Sequence, residues 1–187
     1  LKPNDIDLIK MKKYQLMDKV FQTTGDMGAW MMRNTTSIQI NIDYTSEVDA
    51  NHMGFIADAI QPFFSILFSN APFIKGEKVK QKNMRWRIWE NTDPSRCQSL
   101  INHKIYNPNS IVRDYAKWIQ QVPAIFSSND LNTNHYNGTL GEMVLSFSDS
   151  LKNNILSALH QSFTNVRYKT VLEIRSGDRP LKGQELA

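Results

Sequence analysis

The chain has 187 residues, 41% hydrophobic and 21% charged, so it is long enough for one sizeable folded unit and too apolar for a disordered tail. A single cysteine, Cys97, excludes an internal disulfide framework and fits a reducing compartment, and one Cys with four His offers no zinc spacing. The net charge of +4 permits an anionic partner without demanding nucleic acid, and no apolar run reaches transmembrane length.

The first residues, L-K-P-N-D-I-D-L, lack the apolar core of a signal peptide and an initiator Met, and the last, G-Q-E-L-A, close no element; the chain reads as a fragment of a longer protein. Leu8, Ile9, Met11, Leu16, Met17, Val20 and Phe21 recur among lysines and predict an amphipathic helix ended near Thr23-Thr24-Gly25. Gly25–Gly28 read as a turn. From Ser37 the residues alternate: Ile38, Ile40, Ile42 and Tyr44 fall on one side, Ser37, Gln39, Asn41 and Asp43 on the other. Period 2 predicts a strand. Its short polar groups suit either a solvated face or one that holds a ligand or hydrated metal ion.

Ser46, with Glu47 and Asp49 behind it, is a helix N-cap. Apolar residues then recur from Met53 to Phe68, and Pro62 should bend or divide this helix. Its aromatic stripe reads as core. A basic loop spans Ile74–Lys82. The following N-M-R-W-R-I-W-E-N-T-D-P-S-R reads as a strand, with Met84, Trp86 and Ile88 on one face and Arg85, Arg87 and Trp89 on the other. Arginine beside tryptophan can stack bases or clamp a carboxylate, or simply snorkel at the surface.

Asn109 or Ser110 caps a helix ended by Pro123, and Ser127–Gly141 is a polar loop suited to closing over a site. Ser148 or Ser150 caps a further helix reaching Phe163. The last element, V-R-Y-K-T-V-L-E-I-R, turns Leu172 and Ile174 one way and Glu173 and Arg175 the other, the latter two roughly 6.5 Å apart along a strand. Such a pair can serve a metal and a phosphate oxygen, or be a plain ion pair. Cys97 reads as a buried, inert thiol. There is no phosphate-binding glycine loop, no G-x-G-x-x-G and no zinc helix.

Four stretches stand in order: G-D-M-G-A-W-M-M-R-N-T-T-S-I-Q-I-N-I-D, I-Q-P-F-F-S-I-L-F-S-N-A-P-F, N-M-R-W-R-I-W-E-N-T-D-P-S-R and Y-K-T-V-L-E-I-R-S-G-D. In this combination the chain resembles the glutamate–cysteine ligase family of plants and many bacteria. The resemblance implies an α+β fold: a curved, mostly antiparallel sheet, part of a glutamine synthetase-like funnel, with helices on its outer face. It implies that residues 1–187 are the central part of one catalytic domain. It implies ATP-dependent joining of the γ-carboxylate of L-glutamate to the amine of L-cysteine, the first step of glutathione synthesis, with ATP and Mg²⁺ required, neither nucleic acid nor membrane as partner, and a cytosolic or plastid location.

By motif, Arg85 would hold the α-carboxylate of glutamate. Met32, Thr35 and Ser37 would contact it, and Trp89 and Arg96 would shape its pocket. Glu173 and Gln39 would serve the metal, Asn41 the nucleotide side, and Arg175 a phosphate as the catalytic cation. Plant members carry arginine where Asn34 stands, so the neighbouring Arg33 receives no substrate contact. Early acidic metal ligands of the family would precede Leu1. Other readings are a ligase joining glutamate to a different amine, an inactive remnant, or a single-stranded nucleic-acid module built on Trp86, Trp89, Arg85 and Arg87.

Overall fold

The computed structural model describes residues 1–80, 83–128, 132–146, 151–180 and 183. After a 3₁₀ turn at Pro3–Asp5, helix α1 runs Lys12–Thr24, starting later than the apolar pattern predicts. Helix α2 (Gly28–Asn34) packs against it. A Cβ on Gly28 would collide with the Phe21 carbonyl, so this close crossing requires glycine there. Strand β1 is only Ile40–Ile42; Ser37 makes a separate bridge to Asp178.

The Ser46 hydroxyl accepts the Asp49 amide at 3.1 Å and opens α3 (Glu47–Ala59). Pro62 sits in the first turn of α4 (Gln61–Leu67) and divides the expected long helix at Ile60, because proline is tolerated at a helix start and not inside one. The expected basic loop holds a small hairpin, β2 (Phe73–Ile74) and β3 (Glu77–Lys78), turned by Lys75 and Gly76 at φ 55° and 84°.

Residues Met84–Glu90 form helix α5, which corrects the strand expected there. Asn83 decides it: its side-chain oxygen accepts the Trp86 amide at 2.9 Å, capping the first turn, and its amide donates to the Ser65 carbonyl at 2.6 Å. Met84 and Ile88, four apart, are buried on one helical face. Arg85 is buried while Arg87 is exposed, so the continuous Arg–Trp platform of the nucleic-acid reading does not form.

Helix α6 (Ile111–Gln121) starts at Ser110 and stops before Pro123 as expected. The polar loop instead holds a hairpin of β4 (Phe126–Ser128) and β5 (Thr133–His135), with residues 129–131 outside the description. Helices α7 (Leu140–Ser146) and α8 (Leu151–Leu159) follow; the expected caps Ser148 and Ser150 lie outside the described residues. Phe163 lies beyond α8 and packs against Phe21 and Trp89. The final stretch is a hairpin, β6 (Val166–Tyr168) and β7 (Leu172–Ile174).

The fold is α+β. The main sheet is antiparallel and open, in the order β1–β7–β6. Its apolar face buries Val166, Tyr168, Leu172 and Ile174 against a core that includes Ala50 and Ala57 of α3, Ile111, Tyr115 and Ile119 of α6, and Leu140 of α7. A second core joins Met17 and Phe21 of α1, Met31 of α2, Met84 and Ile88 of α5, and Ile125 beside β4. The aromatic stripe expected to be core is only partly so. Phe64 packs on the first core, whereas Phe63, Ile66 and Leu67 are exposed among the described residues, Leu67 at 78%.

Candidate functional site

Strand alternation puts the polar half of the main sheet on one face. The register sets Asn41 opposite Glu173 and Glu173 opposite Arg167. Glu173 is 4% exposed and is enclosed by cations: Arg167 Nε at 2.6 Å, Lys169 Nζ at 2.5 Å and Arg175 Nη1 at 3.4 Å. Burial alone would raise its carboxyl, but the hydrogen bonds from Arg167 and Lys169 and the nearby positive charges outweigh this and hold it below the ordinary value. Arg175 also donates to Gln39 Oε1 at 3.5 Å. Burial, with Arg167 beside it, pushes the Arg175 guanidinium down to about 10, so it remains charged at neutral pH. The predicted neighbours Glu173, Arg175 and Gln39 therefore do meet, while Asn41 is exposed beside them.

Helix α5 supplies the other half. Arg85 and Trp89, one turn apart, place the Arg85 guanidinium carbon 5.5 Å from the indole centroid. The Arg175 guanidinium carbon is 5.9 Å from the same ring. Trp89, packed against the second core, thus links two buried cations from different elements. Arg85 Nε and Trp89 Nε1 are buried donors with no hydrogen-bond partner among the described residues. Burial pushes Arg85 down to about 10, and Asp178 partly offsets this.

Two polar cavities flank this bridge. One, of about 440 Å³, is lined by Arg85, Asp178, Asn34, Thr35, Lys75 and Arg179 among others. The second, of about 570 Å³, is lined by Lys13, His160, Arg167 and Arg175 with neutral side chains, and its described lining includes no Asp or Glu. Burial and the charges of Lys169 and Arg167 lower the His160 imidazole pKa. A further cavity of about 640 Å³ between α6, α7 and α8 has mainly apolar walls.

The remaining predicted residues divide. Thr35 lines the first cavity, its hydroxyl donating to the Met31 carbonyl at 2.9 Å. Ser37 is bridged to Asp178 at the cavity's edge. Met32 packs against the second core. Arg96 lines neither polar cavity; it is 1% exposed, paired to Asp93 at 2.7 Å and bonded to the carbonyls of Pro123 and Gln161, so it ties loops together. Arg33 is held bidentately by Asp18. Cys97 is fully buried, and burial with nearby Asp93 pushes its thiol up to about 12, as expected of an inert cysteine.

Glu173 and Gln39 do not by themselves make a magnesium site. Both Glu173 oxygens already face cations, and no group of three His, Cys, Asp or Glu side chains that could hold a metal occurs among the described residues. A dication there would need the three cations to withdraw.

Sequence reasoning missed Arg167, Lys169, Lys13, His160 and Asp178. Reading Val166–Arg175 as a hairpin turned at Lys169–Val171 would have put Arg167 opposite Glu173. The same turn would have brought Lys169 to Glu173, whereas no local pattern marks Lys13, His160 and Asp178, which line the two polar cavities.

No described helix is long and apolar enough to cross a membrane. The chain resembles the chloroplastic glutamate–cysteine ligases of Medicago truncatula, at 30% identity over 122 residues (65% of this chain and 24% of that protein), and of Nicotiana tabacum, at 30% over 122 residues (65% and 23%). That of Arabidopsis thaliana is 29% identical over 123 residues, 66% of this chain and 23% of its own. The matched stretch is thus about a quarter of each relative's length. The sequence profile of "Glutamate-cysteine ligase family 2 (GCS2)" matches residues 1–187. The chain belongs to that glutamate–cysteine ligase family.

Proposed function

We propose that the chain carries part of the active site of an ATP-dependent ligase that joins L-glutamate to L-cysteine, with glutamate in the 440 Å³ cavity and the ATP phosphates in the 570 Å³ cavity. The observation that carries this reading is the Arg85–Trp89–Arg175 bridge, which sets one buried cation at each cavity. The first cavity has three cations, Arg85, Arg179 and Lys75, against one carboxylate, Asp178. That balance complements an amino acid with two carboxylates and one ammonium. The charged side chains described at the second are all cations, Lys13, Arg167 and Arg175, as phosphates require.

In the proposed reaction a γ-carboxylate oxygen of glutamate attacks the γ-phosphorus of ATP. The bond to the β-phosphate oxygen breaks and ADP leaves, giving γ-glutamyl phosphate. The cysteine nitrogen then attacks the acyl carbon, loses a proton, and phosphate leaves with the C–O bonding pair. Both steps gather negative charge on oxygen, which Arg175 stabilises; Arg167 and Lys169, fixed by Glu173, support the same potential. Asn41 stands on the nucleotide side. Arg85 grips the α-carboxylate, with Thr35 at the cavity wall and Ser37 behind it, bridged to Asp178. The Mg²⁺ that accompanies ATP would draw its ligands from groups other than Glu173, whose two oxygens face cations.

The test is phosphate release from Mg²⁺-ATP by the purified chain. Release should need both L-glutamate and L-cysteine and vanish in Arg175→Ala. Release indifferent to either amino acid overturns the proposal. No release from a folded chain that binds both substrates would remove its catalytic part and leave the binding part.

A further inference from the structure

Arg85 accounts for a carboxylate in the 440 Å³ cavity but leaves its one acidic wall unexplained. Asp178 is 3% exposed. Its main chain is fixed by the bridge to Ser37 and by a 3.1 Å bond from its amide to the Phe68 carbonyl. Its side chain is fixed too: Oδ2 accepts the Asn70 amide at 2.7 Å, and the Ala71 amide also points at it. Two of a carboxylate's roughly four acceptor positions are thus engaged and the rest are open. No cation forms a direct ion pair with it among the described residues; Arg85 attracts it only from a distance. Neutral oxygens would serve two backbone amides equally well. A carboxylate kept buried without a paired cation is costly, and a cationic visitor removes that cost.

A second observation points the same way. Asn34 Oδ1, on the same cavity, is a buried acceptor with no partner among the described residues. The residues lining the cavity therefore include a carboxylate with no ion pair, a carbonyl oxygen without a partner and, in Arg85, an Nε donor without a partner, among the described residues.

We propose that Asp178, assisted by Asn34 Oδ1, receives the α-ammonium group of the substrate whose α-carboxylate meets Arg85, and so makes the cavity selective for an α-amino acid over the matching dicarboxylic acid. This rests on the glutamate reading of the cavity given above and adds to it the residue that enforces the amino group. A site built to hydrogen-bond a substrate group discriminates strongly against the analogue that lacks it, because its buried partners are then left unpaired.

The experiment is calorimetric titration of the chain with L-glutamate and with glutarate, which has the same two carboxylates and no ammonium. The wild-type chain should bind L-glutamate at least about tenfold more tightly than glutarate. Asp178→Asn keeps an oxygen for the Asn70 and Ala71 amides; it should weaken L-glutamate by about tenfold or more, leave glutarate unchanged or tighter, and bring the ratio close to one. Should that variant fail to fold, judged by its thermal transition, Asn34→Ala should weaken L-glutamate and not glutarate. Equal wild-type affinities, or a preference that survives these substitutions, overturn the role of Asp178 while the glutamate cavity stands. A wild-type chain that binds neither compound overturns the glutamate cavity, and the inference falls with it.

Discussion

At the scale of single residues, Arg85 and Glu173 do different work with buried charge. Arg85 is nearly unpartnered, which suits a group awaiting a ligand. Arg85→Lys should weaken L-glutamate binding by about tenfold or more while leaving the thermal transition nearly unmoved, because an ammonium cannot grip a carboxylate bidentately. Titration calorimetry with a melting curve checks this; unchanged affinity would rule Arg85 out as the carboxylate ligand.

Glu173 is instead committed to Arg167, Lys169 and Arg175. Its folded pKa lies below the ordinary 4.5, so between the two values the unfolded chain binds more protons than the folded one. The stability from this carboxylate is therefore complete above about pH 4.5 and is lost as pH falls through the lower folded value. Glu173→Gln should cost about 3 kcal/mol at neutral pH by stranding three cations, and should flatten the acid limb of the stability profile. Urea melts between pH 3 and 7 would show it; parallel profiles for the two proteins would deny it.

At the scale of elements, α5 is the piece on which the site depends. Both a strand and a helix put Arg85 and Trp89 on one side, since a spacing of four is even and is also about one helical turn. The period alone did not separate the two. Asn83 did, by capping the helix and bonding across to α4. Asn83→Ala should cost about 2 kcal/mol, half from the cap and half from the lost bond to the Ser65 carbonyl. It should also lower L-glutamate affinity through displaced Arg85, whereas a loss of stability without any change in affinity would separate α5 from the site.

At the scale of the whole molecule, α4 leaves Phe63, Ile66 and Leu67 exposed among the described residues. The isolated chain should self-associate through this stripe at micromolar concentration. Sedimentation should show a concentration-dependent weight that falls to the monomer in Phe63→Ser/Leu67→Lys. Identical behaviour of the two proteins would place the association elsewhere.

Local patterns in the sequence determined a good deal by themselves. Ser46 bounded a helix through its cap, and Pro62 and Pro123 through breaks, effects that act over a few residues, and alternation placed Gln39 with Asn41 and Glu173 with Arg175 on polar faces. Ordered motifs marked the family. The tertiary structure alone decided what those residues meet. Only strand register set Arg167 against Glu173, and only a cross-chain contact brought Arg175 of the sheet to Trp89 of α5. Only packing gave Arg96 to three loop contacts and left Arg85 without an ion pair among the described residues. The Arg167–Glu173 pair needs only the turn between β6 and β7 to be known, but the contact of Arg175 with Trp89 and those of Arg96 with the Pro123 and Gln161 carbonyls join groups tens of residues apart, so no short window of the chain contains them. The charge of Asp178 acquires a meaning only because the fold carries it, unpaired, to the cavity of Arg85 and Asn34.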